Sequence, residues 1–145
     1  MGANHTRRFI GEGATVYFTD IMEEEGKLLE NELDGKGIFI YQDVSSEQDW
    51  QHVVNTIEED RGKLDILVNN AGIAFNKPIE DTSLSDYMRM TMINQVSVFL
   101  GQKYCLPLLK NGEDACIVNI SSTAGLTGMI GSSAYCSSKY AVRGL

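Results

Sequence analysis

Two periodicities take turns along the chain. Residues 14–20, ATVYFTD, are β-branched and aromatic and end on an acid, and residues 36–44, KGIFIYQDV, repeat the form. Between them MEEEGKLLENEL carries Leu28, Leu29 and Leu33 at helical spacing, which predicts a helix burying all three leucines. SSEQDWQHVVNTIEED predicts a second helix, with Ser46 as its N-cap and Trp50, Val53, Val54 and Ile57 as its apolar stripe. KLDILVNNAG is nearly continuous in apolar residues before it turns polar and small, the pattern of a strand buried on both faces. Residues 84–109 predict a long helix opened by the capping pair Ser83 and Asp86. DACIVNISS predicts another buried strand, and SAYCSSKYAVRGL the start of a further helix. No repeat, low-complexity tract or internal linker divides the chain, so residues 1–145 read as one domain.

Strands alternating with helices imply right-handed βαβ units, and hence a parallel sheet with helices on both faces. The fold class expected is α/β, a Rossmann-like doubly wound sheet. Ligands of such sheets bind beyond the carboxyl ends of the strands. Asp20, Asp43, Asn69 to Gly72, and Ser121 with Ser122 all fall there, which points to a nucleotide site.

Composition narrows the partners. With 43% hydrophobic and 22% charged residues the chain has the make-up of a soluble globular protein. A formal net charge of -8 argues against nucleic acid or an anionic membrane surface as partner. No apolar run reaches the roughly 18 residues of a membrane span, and no leader pattern opens the sequence. The three cysteines, Cys105, Cys116 and Cys136, lack metal-ligand spacing. The expectation is a cytoplasmic protein with buried, reduced thiols and no metal. MGANHT fits a myristoylation pattern, and NHT and NIS fit glycosylation patterns, but such short matches arise by chance. His5 and His52 are isolated and receive no role.

Tyr135 and Lys139 stand four residues apart, on one face of a helix. A free phenol has a pKa of about 10 and is a poor base at neutral pH. A neighbouring ammonium favours the phenolate, so the pair is a plausible acid/base unit. The same spacing also occurs on any amphipathic helix with a half-buried tyrosine and a solvated lysine. Ser122 follows a strand, where its hydroxyl either meets a substrate oxygen or merely caps the strand end. The small residues TAGLTGMIGSSA after it leave room for a pocket. In NNAG, Ala71 and Gly72 let a flat ligand approach the backbone, or form a turn that binds nothing. Asn94 is unfavourable inside a helix and marks either a solvated position or a local distortion. Asp20 either accepts bonds from an adenosine ribose diol or caps the next helix with Glu23 as its reciprocal partner. No Arg or Lys among Ile21, Met22, Glu23, Glu24 and Glu25 would welcome a 2′-phosphate.

Together these residues resemble the short-chain dehydrogenase/reductase family. The likeness rests on TD at Asp20, DV at Asp43–Val44, NNAG, IN at Asn94, NISS with Ser122, and YCSSK with AVRGL, in the family's order and spacing over essentially the whole chain. It implies an oxidoreductase that interconverts a secondary alcohol, such as a hydroxysteroid, and a ketone with NAD. By that resemblance Tyr135 is the acid/base, Ser122 orients the substrate oxygen, and Lys139 lowers the tyrosine pKa and holds the nicotinamide ribose. Asn94 belongs to a proton relay through a water at the helix kink. Asp20 holds the adenosine ribose, Asp43 and Val44 the adenine, and Asn69, Asn70, Ala71 and Gly72 the adjoining ribose region.

The family's pattern opens with a strand and a T-G-x-x-x-G-x-G phosphate loop, of which Met1–Gly2 resembles the last two residues. A central strand and later C-terminal strands of the family's sheet have no counterpart here, so a gap or a re-paired sheet is expected. The resemblance also implies a homo-oligomer of the full-length form, through the helix after Asn94 and the one bearing Tyr135. The alternative to an enzyme is a non-catalytic remnant or dinucleotide-binding partner protein.

Overall fold

In the computed structural model, which describes residues 1–145, the apolar runs become four short strands and the amphipathic stretches become helices. The chain runs α1 (Gly2–Gly11), β1 (Val16–Asp20), α2 (Glu23–Glu32), β2 (Gly37–Tyr41), α3 (Glu47–Arg61) and β3 (Ile66–Asn69). A 3₁₀ turn (Ile79–Asp81) precedes α4 (Leu84–Thr91), and a π-helical segment (Met92–Val96) joins α4 to α5 (Ser97–Lys110). Then come β4 (Cys116–Asn119), a second 3₁₀ turn (Thr123–Gly125) and α6 (Ser133–Gly144). The hydrophobic pattern gives no sign of α1: in GANHTRRFIG only Thr6 is buried.

Both predicted N-caps form. Ser46 accepts from Asp49 N at the head of α3, and Ser83 from Asp86 N at the head of α4. α3 stops at Gly62, whose φ of 68° places it in the left-handed conformation that ends helices. Asp20 is not a cap. α2 starts after Met22, whose N–H donates to Asp20 Oδ1 at 3.1 Å, and Glu23 pairs with Lys27 instead. The leucine stripe of α2 is also narrower than its spacing predicts: Leu29 and Leu33 are buried, whereas Leu28 is 70% exposed.

The four strands form two separate parallel pairs. β1 pairs with β2 from Val16↔Gly37 to Asp20↔Tyr41, and β3 with β4 from Ile66↔Cys116 to Asn69↔Asn119. No ladder joins one pair to the other, which is the interruption expected of an incomplete Rossmann-like sheet. A shared helical layer holds the pairs together. Ile40 of β2 packs with Val53, Ile57 and Leu108, and Leu67 of β3 packs with Trp50, Leu100, Cys105 and Leu109. α3 and α5 therefore reach both halves of the sheet.

β3 and β4 are not buried on both faces. Leu67 and Asn69 turn inward, whereas Ile66, Ile117 and Val118 are exposed. α5 covers the face that carries Leu67; Ile66 and Val118 lie on the opposite face, which lacks such cover, and Ile117, though paired with Leu67, stays exposed beside it.

Cys116 is exposed too, so only Cys105 and Cys136 match the expected buried thiols. Burial pushes the Cys105 thiol up to about 12. An unfolded thiol ionises near pH 8.5, so the folded value is the higher one. The stability linked to Cys105 is full below that pH and declines as pH rises toward the folded value. Under native conditions a disulfide reagent is expected to modify Cys116 first, with Cys105 reacting only on unfolding. Equal rates for the two thiols would contradict the packing of α5.

Candidate functional site

The chain leaves β4 at Asn119 and runs through Ile120 and Ser121 to Ser122, which opens the second 3₁₀ turn. Ser122 Oγ accepts from Ala124 N at 3.1 Å. It thus has the capping role, and its hydroxyl proton remains without a partner in the chain. Tyr135 lies in the first turn of α6, half-buried, and its hydroxyl makes no hydrogen bond within the chain.

Lys139, one turn on, is not the solvated lysine of an ordinary amphipathic helix. It is 5% exposed, and its Nζ lies 5.9 Å from the centre of the Tyr135 ring. The ammonium donates to Ile120 O at 2.8 Å, and burial holds it below its ordinary value. An ammonium has three donors, so two are left for a ligand or water.

Asn94 is fully buried in the π-helical segment, so of its two readings, a solvated position or a local distortion, the second holds. Its carboxamide clasps one residue of the loop after β3: Oδ1 accepts from Ile73 N at 2.8 Å and Nδ2 donates to Ile73 O at 2.9 Å. Nδ2 also donates to Ser138 Oγ at 3.1 Å on α6. Both N–H donors of the amide are thereby used, and the side chain ties three elements at one point. Gly72 fits against the same point: a Cβ there would stand 3.2 Å from Asn94 Oδ1 and 3.6 Å from Lys139 Nζ. Residues 72, 94 and 139 thus meet, and a side chain at position 72 would crowd them.

The remaining candidates divide. Asn69 points into the core, where Nδ2 donates to Asn119 Oδ1 at 2.9 Å. A Cβ on Gly101 would come within 2.4 Å of Asn69 Oδ1, so α5 approaches β3 closely only because residue 101 is glycine. Asn69 is a sheet fastener. Asn70 differs: its Oδ1 is buried and has no partner. Gly2 lies beside it, a Cβ there falling 3.4 Å from Asn70 Nδ2. α1, which Gly2 opens, has neither a side-chain cap nor an acid in its first turn. Free N–H groups at a helix start favour an anion.

Asp43 Oδ1 accepts from Ser45 N and Ser45 Oγ, leaving Oδ2 without a partner. Val44 O accepts from Trp50 Nε1, while its N–H is unbonded within the chain. A free acceptor next to a free N–H is complementary to the donor–acceptor edge of an adenine. Asp20 keeps Oδ2 unpaired and has no cation against it. The motif reading missed Gln42, which is 1% exposed with both amide atoms unpartnered. Its signal was a polar residue two positions past Ile40, on the same strand face. The residues present fit a dinucleotide: orphaned Asn70 Oδ1, the open start of α1, the Asp43–Val44 pair and the spare donors of Lys139.

Fold and site define an α/β protein of the doubly wound class, with its polar groups gathered beyond the carboxyl ends of the strands. The chain belongs to the short-chain dehydrogenase family, whose model, described as short chain dehydrogenase, matches residues 1–145. It is 43% identical over 146 residues to a cyclopentanol dehydrogenase of Comamonas testosteroni, covering 99% of this chain and 58% of the relative. It is 40% identical over 145 residues to a 3-alpha-(or 20-beta)-hydroxysteroid dehydrogenase of Mycobacterium tuberculosis (strain ATCC 25618 / H37Rv), covering 100% and 56%. A trans-4-hydroxycyclohexanecarboxylate dehydrogenase of Sinomonas cyclohexanicum is 34% identical over 154 residues, covering 100% and 59%. The chain therefore spans less than two thirds of the length of these relatives. No helix is long and apolar enough to cross a membrane.

Proposed function

We propose that these residues carry the cofactor and acid/base groups of an oxidoreductase that interconverts a secondary alcohol and a ketone with NAD(H). The observation that supports this best is the buried Lys139 ammonium, one turn from the unbonded Tyr135 hydroxyl. Tyr135 Oη gives its proton to the carbonyl oxygen in reduction and takes it back in oxidation. Ser122 Oγ–H donates to the same oxygen and holds the carbonyl in line with the tyrosine. Bound NAD(H) supplies the hydride acceptor or donor. Lys139 would hold its nicotinamide ribose, and Asn70, Ala71 and Gly72 would line the path of the cofactor beyond β3. Asp43 and Val44 would take the adenine, Asp20 the adenosine ribose, and Gly2 the diphosphate. Asn94 positions the loop and α6 against one another.

The names of the three relatives share a ring bearing a hydroxyl group, so a cyclic secondary alcohol is the first substrate class to try. Because the chain is shorter than those relatives, the test uses a chain completed at both ends with the matching segments of the cyclopentanol dehydrogenase. Cyclopentanol-dependent NADH formation is expected. Firm NADH binding without turnover of cyclic alcohols would overturn the reading.

Asp20 is expected to make this enzyme prefer NAD(H). A carboxylate about 4 Å from a 2′-phosphate costs on the order of 1 kcal/mol even in water, about a fivefold preference. Asp20→Ala should lower the ratio of kcat/KM for NADH over NADPH by about that factor. A parent enzyme that works equally well with NADPH would refute the role of Asp20.

A further inference from the structure

Two consecutive residues hold Lys139 at both of its ends. Ile120 O accepts from Lys139 Nζ at 2.8 Å, and Ser121 Oγ donates to the main-chain oxygen of Lys139 at 2.9 Å. That is the one hydrogen bond the Ser121 side chain makes. Gly125 closes over the same oxygen: a Cβ there would lie 2.6 Å from Lys139 O and 2.6 Å from Ser121 Oγ. One turn further along α6, Arg143 Nη1 donates to Gly125 O at 3.0 Å. The turn that begins at Ser122 is thus fastened to α6 at Lys139 and Arg143. Ser121 precedes Ser122 directly, so one covalent step and one hydrogen bond set the placement of Ser122 against Lys139.

We propose that Ser121 is a positioning residue, which fixes the main chain of Lys139 against the Ser122 segment and so keeps the ammonium beside Tyr135. This rests on the acid/base reading of Tyr135 and Lys139. Without the Ser121 hydroxyl, the hydrogen bonds left between α6 and residues 120–125 run through two long, flexible side chains, Lys139 and Arg143. A displacement of about 1 Å in a reacting constellation costs on the order of 100-fold in rate, and a partial slip correspondingly less. The elements packed against α6 carry few other groups that titrate. The 3₁₀ turn and the π-helical segment have none, α4 carries Asp86, Tyr87 and Arg89, and α6 itself adds Cys136, Tyr140 and Arg143. Asp86 is neutralised by Lys77.

The test compares Ser121→Ala and Ser121→Thr with the parent in the completed enzyme. Ser121→Ala is expected to lower kcat about tenfold, less than the roughly 10²–10⁴-fold of a lost acid/base group, while KM and the NADH dissociation constant stay within about twofold. The acidic limb of the kcat–pH profile should move to higher pH, because the ammonium is held less firmly near the phenol. Ser121→Thr keeps the hydroxyl and should restore both kcat and the pH profile. A parent-like kcat and pH profile in Ser121→Ala, at whatever loss of melting temperature, overturns the proposal. Equal losses in both variants with an unmoved pH profile also overturn it. Turnover that survives Tyr135→Phe sinks the acid/base reading instead, an outcome read from a different variant.

Discussion

Tyr135→Phe, in the chain completed at both ends, is expected to bind NADH as the parent does and to lose turnover. The substitution removes one oxygen and little volume. The Tyr135 hydroxyl makes no hydrogen bond within the chain and the side chain is only half-buried, so its loss leaves no buried group unpaired. Folding should therefore be nearly untouched, and the effect should fall on the proton transfer. General acid/base assistance is worth about 10²–10⁴-fold, and a loss in that range is expected in kcat. NADH fluorescence titration and steady-state rates on the same sample separate binding from chemistry. Turnover within about twofold of the parent would remove Tyr135 from the mechanism.

The second large effect concerns the 145-residue chain by itself. It is expected to unfold without a sharp cooperative transition and to show no dehydrogenase activity. The reason is the divided sheet: β1–β2 and β3–β4 share no ladder, so each pair keeps an edge of unpaired N–H and C=O groups. Each hydrogen bond forgone loses about 0.5–1.5 kcal/mol net. The buried amide atoms of Gln42 and Asn70 Oδ1 have no partner, and such groups cost about 1–3 kcal/mol each. Ile66, Ile117 and Val118 also leave apolar surface open. Set against a typical stability of about 5–15 kcal/mol, several such terms consume most of the margin. Calorimetry and NADH titration of the purified chain decide the matter. A cooperative transition together with micromolar NADH binding would contradict the expectation, whereas its absence favours a non-catalytic role for this chain alone.

Much of the architecture was legible before any coordinates. The alternation of strands and helices and the caps at Ser46 and Ser83 rest on periodicity and local hydrogen bonding. Those are properties of a few neighbouring residues. The residue pattern left Asn94 between a solvated position and a distortion, whereas the neighbourhood of Tyr135 and Lys139 was legible, because four residues along a helix return a side chain to the same face. The helix of residues 2–11 was not, since GANHTRRFIG lacks an apolar stripe and packs only Thr6 inward.

Which way each residue faces was decided by packing. Leu28 shares a spacing with Leu29 and Leu33 yet stays outside, because α2 buries a narrower face than three leucines require. Asn69 and Asn70 are adjacent and chemically identical. One is spent on Asn119 and the other keeps an orphaned oxygen, since successive residues leaving a strand turn to opposite sides. Lys139 is buried only because Gly72, Asn94 and residues 120–125 converge on it from three separate parts of the chain. Ser121 and Gln42 acquire their meaning the same way, one by finding a partner 18 residues away and the other by finding none. Sequence pattern sets the face of an element relative to its own axis. The partner across that face, and hence burial and charge, exists only once distant segments have packed together.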